Sequence, residues 1–94
     1  MADVADIRLV QLARLLGLPR NSGRDLVLDA VRQQADVLAA AFFVEAANND
    51  DVTSADSARE YLADRLAFFA DIIDEATAAE IRDRFAHHLK SWDS

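Results

Sequence analysis

The stretch Val37-Leu38-Ala39-Ala40-Ala41-Phe42-Phe43-Val44 decides how this chain folds. Wound as a helix it is apolar on every side, and a helix apolar all round is buried all round. It falls far short of the ~20 apolar residues needed to cross a bilayer, so what covers it is protein. Upstream, Val27, Ala30, Val31 and Leu38 recur at helical spacing, with Arg24, Asp29, Arg32, Gln33 and Asp36 on the other sides. One long helix is therefore expected over 23–47, with Ser22 as its N-cap and Asp25 standing three residues on in the capping box.

Three more helices follow from the breaks on either side. Leu9, Leu12, Ala13 and Leu16 share a face of a first helix over 3–16, with Asp3 as its cap; Gly17 supplies a left-handed stop and Pro19 lies just beyond. After Asn48-Asn49-Asp50-Asp51, Thr53 or Ser54 caps a helix over 54–74. It carries Ala58, Leu62, Leu66, Phe69 and Ile73 on one apolar face and Tyr61, Phe68 and Ile72 on a second, with Arg65 between them. Thr77 and Glu80 have capping-box spacing, which starts a last helix over 78–92 with Ile81, Phe85, His88, Leu89 and Trp92 as its buried stripe.

Ninety-four residues make one domain, 1–94, and one Pro with two Gly leave little turn chemistry for a sheet. The expected fold is all-α, a small four-helix bundle with Leu38, Phe42, Leu62, Leu66, Phe69, Ile73, Phe85 and Leu89 in its core. At 52% hydrophobic residues the chain carries more apolar surface than a lone domain of this size hides easily. A homodimer is expected, joined through Leu38, Phe42, Phe43 and Val44.

No cysteine is present, which removes disulfides, thiolate metal sites and thiol nucleophiles. No tripartite secretory signal opens the chain, and a cytoplasmic location is expected. Asp50 and Asp51, with Thr53, Ser54 and Asp56, gather oxygen atoms in one loop, but not at the alternating spacing of a calcium loop. His87 and His88 are adjacent and point about 100° apart on a helix, so they do not chelate one ion together. Asp83 with His87 makes only a two-ligand pair. Ser22, Ser54 and Ser57 have neither a nearby His nor a glycine-rich elbow, and no phosphate loop is present. Neither an enzyme nor a metal nor any other cofactor is expected.

The feature that points to a function is electrostatic. Seventeen Asp and Glu against ten Lys and Arg give a net charge of −7, which argues against charge-driven attachment to nucleic acid or anionic lipid. On the third helix Asp56, Glu60, Asp64, Asp71 and Glu75 fall within about 100° of one another, an acidic ridge. Its carboxylates stand roughly 6–7 Å apart along the axis, against about 3.4 Å for phosphates on a DNA strand, so one ridge is a sparse nucleic-acid mimic.

The stretch from Ile7 to Gln34, with Gly17-Leu18-Pro19 and a later Gly23 bracketing a link between two helices, resembles in outline the helix–extension–helix nucleic-acid-binding modules of the SAP and Rho N-terminal type. The likeness covers less than a third of the chain. The link is one residue longer, and Asp25 follows Arg24 where those modules favour a lysine-rich surface. It implies a nucleic-acid-binding regulator working through Arg20 and Arg24, with Arg8, Arg14 and Arg32 in support, as the alternative function. The leading expectation is a non-enzymatic regulator or inhibitor that occupies a basic partner protein, as antitoxins, immunity proteins, anti-CRISPR-like factors or assembly adaptors do. Its contacts would be Asp56, Glu60, Asp64, Asp71, Tyr61 and Phe68.

Overall fold

The computed structural model describes residues 7–19 and 21–92, which contain five α-helices and no strand. The Asp3 cap and Arg20 lie outside the described residues. Helix α1 spans Ile7–Leu15 and buries Leu12 and Ala13. It stops as its sequence dictates: Gly17 has φ +74°, its N–H donates to Arg14 O at 3.1 Å, and the Leu18 N–H donates to Ala13 O at 2.8 Å. This pair of bonds satisfies carbonyls that the helix end would otherwise orphan.

The expected helix over 23–47 is two helices, α2 (Arg24–Gln33) and α3 (Ala35–Ala47), divided at Gln34 by backbone angles of φ −122° and ψ 41°. There is no Pro or Gly at this break, so periodicity had nothing with which to mark it. The Gln34 N–H still donates to Ala30 O at 2.8 Å, and its carbonyl accepts from the Leu38 N–H at 3.0 Å. The chain changes course while these backbone groups stay paired. Ser22 does not cap α2: Gly23 holds that position without a side-chain bond, and the Ser22 hydroxyl donates to Pro19 O at 2.7 Å.

Helix α4 spans Ala55–Phe68. Ser54 caps it by accepting from the Ser57 N–H at 3.1 Å, while the Ser57 side chain accepts from the Ser54 N–H at 2.9 Å. The capping box is thus closed by serine rather than by an acid. The helix ends six residues before the expected 74, and residues 69–73 form turns. Helix α5 spans Glu75–Leu89 and begins earlier than expected, because Asp74 rather than Thr77 is its cap. Thr77 lies inside α5 and is buried.

Helix α3 is the axis of the fold. It packs most extensively against α5 and next against α4, while α1 packs against α2 and α2 against α3. Ala35, Ala39 and Ala46 are buried on α3, as is Ala58 on α4, and small side chains at these positions let helix backbones approach closely. All eight expected core residues are buried, Leu38 and Phe42 with 0% exposure. Phe42 and Phe69 pack ring to ring with centroids 6.2 Å apart. Phe43, half-buried, stacks on His88 at 5.1 Å and meets Phe85 and Trp92 edge-on at 5.9 and 5.6 Å.

These contacts correct the expected dimer interface. One chain encloses Leu38 and Phe42 completely and half-covers Phe43, so only Val44, at 56% exposure, offers broad surface to a second copy. Val37 is the other exposed large residue of α3, seven positions away and on the same side of the helix. No described helix is long and apolar enough to cross a membrane.

Candidate protein-interaction surface

The C-terminal end of α3 and the loop after it form a wide, shallow depression that is open to solvent over most of its extent, lined by Val44, Glu45, Asn48, Asn49, Asp50, Asp51 and Tyr61. Its charged lining residues are all acids. The C-terminal end of α3 adds the negative pole of a helix dipole. The loop is held in shape by Asn49, whose Oδ1 accepts from the Asp51 N–H at 2.9 Å and whose carbonyl accepts from the Val52 N–H at 3.0 Å. Asp50 and Asp51 are thereby carried into solvent on a fixed turn.

Tyr61 connects this depression to α4. Its hydroxyl donates to Glu45 Oε1 at 3.1 Å, and Arg65, one turn further on, places Nε 3.7 Å from the same oxygen. Burial and the Glu45 carboxylate beside it push the Tyr61 phenol up, so it stays protonated and a donor. The Arg65 guanidinium carbon lies 5.1 Å from the Phe69 ring centre, 5.4 Å from Phe68 and 6.0 Å from Phe42. A desolvated cation over aromatic faces is held by their quadrupoles, which lets α4 carry an arginine at the edge of the core.

Asp56, Glu60 and Asp64 are all exposed on α4. Asp56 pairs with Arg59 at 2.8 Å, whereas no ion pair among the described residues engages Glu60 or Asp64. Asp64 lies three residues after Tyr61 and four before Phe68, on one stripe with both. Phe68, 43% exposed, leans edge-on against Phe69 at 5.0 Å. Asp71 and Glu75 are not on this ridge, because α4 has ended before them. Asp71 sits in the following turn, 3.6 Å from Arg8 of α1, and Glu75 pairs with Arg82 within α5 at 3.0 Å.

The expected ridge is therefore shortened to Asp56, Glu60 and Asp64 and flanked by the depression. Glu45, Asp50 and Asp51 were missed as parts of this surface. A lone carboxylate closing the apolar run at Glu45 was the signal available for the first. The closeness of the 50–51 loop to Tyr61 had none. Among the described residues no three His, Asp or Glu side chains gather to hold a metal ion. Neither protein-family models, nor curated proteins, nor solved structures gave a match to this chain.

Proposed function

We propose that this chain is a non-enzymatic regulator that docks a basic partner protein through the surface made by the α3 end, the 49–51 loop and the outer face of α4. The observation that carries this reading is the depression whose charged lining residues, Glu45, Asp50 and Asp51, are all acids and whose wall includes the exposed apolar Val44. A lysine or arginine of a partner has an aliphatic stem for Val44 and Tyr61 and a cationic head for the carboxylates. Glu60 and Asp64 extend the same sign of charge along α4 and favour encounter with a positive surface. Inhibitors, antitoxins, immunity or anti-CRISPR-like factors and assembly adaptors act in this way.

Homodimerisation enters the proposal through Val37 and Val44 alone. Because Val44 also lines the depression, a second copy and a basic partner compete for it. A light-scattering mass of one chain at tens of micromolar removes the dimer from the proposal.

The test is capture from native lysate by the wild-type chain and by the triple variant Asp56→Lys, Glu60→Lys, Asp64→Lys, with helical content checked in both. The wild type is expected to retain a basic protein that the variant loses. Identical capture by the two removes α4 from the surface. Retention of DNA or RNA in a gel-shift series at low and moderate salt overturns the proposal in favour of a nucleic-acid-binding regulator.

A further inference from the structure

The outward side of α3 carries no charged side chain from Val37 to Val44. Val37 is 42% and Val44 56% exposed, Ala40 and Ala41 are half-buried between them, and Gln33 and Asn48 are the exposed residues beyond. Counted from the point midway between Ala40 and Ala41, the outward residues follow the same order in both directions: an alanine, a valine, then a side-chain amide. Covering this face removes apolar surface from water, which is favourable whatever covers it.

That symmetry suits a second copy. In an isologous pair the same patch on both chains meets itself about a twofold axis. With two α3 helices antiparallel and the axis at Ala40 and Ala41, Val37 of each copy meets Val44 of the other, and Gln33 meets Asn48. Apolar groups then lie on apolar groups, and amides, which both donate and accept, lie on amides. The alanines stand where the two helices come closest, and their small side chains allow a close approach. The charges fix the direction. Helix α3 runs from the Arg32 end of α2 to the loop of Asp50 and Asp51. Both aspartates are exposed, and the Arg32 side chain, 3.2 Å from Asp74, is 62% exposed. An antiparallel pair brings the aspartates of one copy to the Arg32 end of the other and opposes the helix dipoles favourably. A parallel pair brings four aspartates together. Asp36 and Glu45 are about half a turn apart around α3, so in the antiparallel pair they fall on opposite flanks and do not face each other.

We propose that the outward face of α3 pairs with the same face of a second copy, antiparallel, with the twofold axis between Ala40 and Ala41. This develops the self-association that the proposed function admits, and it does not rest on the docking of a basic partner. The pair covers Val44, so it withdraws one wall of the acidic depression from any other protein. One helix face makes less than the standard interface of about 800 Å² per copy, and a dissociation constant of about 10 µM is expected.

The experiment is sedimentation equilibrium of the whole chain and of variants made at the cross-pair. The wild type is expected to be mainly dimeric at about 50 µM and mainly monomeric at about 1 µM. Val37→Glu and Val44→Lys each set a charge against a valine, and each is expected to weaken self-association about tenfold or more. Both positions are exposed, so helical content is expected to stay that of wild type. Mixed in equal amounts, the two variants are expected to associate to within about threefold of the wild-type affinity. In the mixed pair the new carboxylate faces the new ammonium, and the other cross-pair stays valine on valine. A parallel pair sets position 37 against position 37 and gives no such recovery, and a folding defect does not mimic it. The Asp56→Lys, Glu60→Lys, Asp64→Lys variant, which probes partner docking, is expected to keep the wild-type mass, so the two readings fail separately. A wild-type mass of one chain at about 50 µM overturns the proposal. So does undiminished self-association in either single variant, or a mixture that stays monomeric.

Discussion

Tyr61 of α4 donates its phenolic proton to Glu45 of α3 at 3.1 Å, and this one bond ties the wall of the acidic depression to the helix at the centre of the fold. A hydrogen bond to a charged acceptor contributes about 1.5–3 kcal/mol when buried, and less where water competes, as at this half-exposed site. Tyr61→Phe is expected to lower unfolding stability by about 1 kcal/mol, read from the urea midpoint. The pH dependence carries the sign. The folded-state phenol titrates above its unfolded counterpart, so its contribution is complete below about pH 10 and is lost as pH rises through the folded value. Tyr61→Phe is expected to abolish that part of the alkaline decline; a decline of unchanged size contradicts it.

Asp74 shows the opposite sign. Its Oδ1 accepts from the Thr77 N–H at 2.7 Å and its Oδ2 from Arg32 Nε at 3.2 Å. The bond to Thr77 is the main cause that holds its carboxyl below the ordinary range, with Arg32 adding to it. Its stabilisation is present above about pH 4 and is lost as pH falls through the lowered folded value. Asp74→Ala is expected to melt at a lower temperature than wild type at pH 7, with the gap closing as the solution is acidified. A gap that is constant down to pH 2 contradicts the cap.

Gly17 is the position where backbone conformation decides the residue. Nothing lies within 4 Å of where its Cβ would be, so space is not the constraint; φ at +74° is. Gly17→Ala is expected to cost about 1 kcal/mol or slightly more, measured by chemical denaturation. Full stability in that variant contradicts a left-handed stop for α1.

The enclosure of α3 is tested by two substitutions two residues apart. Phe42→Ala empties a site with no exposed surface and is expected to cost about 3–5 kcal/mol. Val44→Lys changes a residue that faces water and is expected to stay within about 0.5 kcal/mol of wild type. Comparable losses at the two positions contradict the placement of α3.

The helical class and the core were legible because burial leaves a period in the sequence. Phe69, Phe85 and Leu89 fall on stripes that any reader of 100° steps recovers, and Gly17 is a local signal that needs no tertiary information. The division at Gln34 was not legible, since neither Gln33 nor Gln34 breaks a helix by propensity and no Pro or Gly marks the break. The same holds for the end of α4 at Phe68: the pattern of Phe69, Ile72 and Ile73 continues the helical period, yet these residues reach the core from turns. That early stop took Asp71 and Glu75 off the ridge. Within one chain Phe42 meets Phe69 and Arg65, and Phe43 meets His88, Phe85 and Trp92, which is more cover for the apolar run than its sequence suggests. Sequence shows that an apolar helix requires cover and does not show how much cover four short neighbours provide.

The most direct test is the salt dependence of affinity for the captured partner, measured by calorimetry with the wild-type chain and with the Asp56→Lys, Glu60→Lys, Asp64→Lys variant. Between about 50 and 500 mM salt the Debye length contracts roughly threefold, and the wild-type affinity is expected to fall by about tenfold or more. The variant is expected to bind weakly throughout with a flatter salt profile. An affinity indifferent to salt, or equal in the two proteins, contradicts docking through an acidic surface.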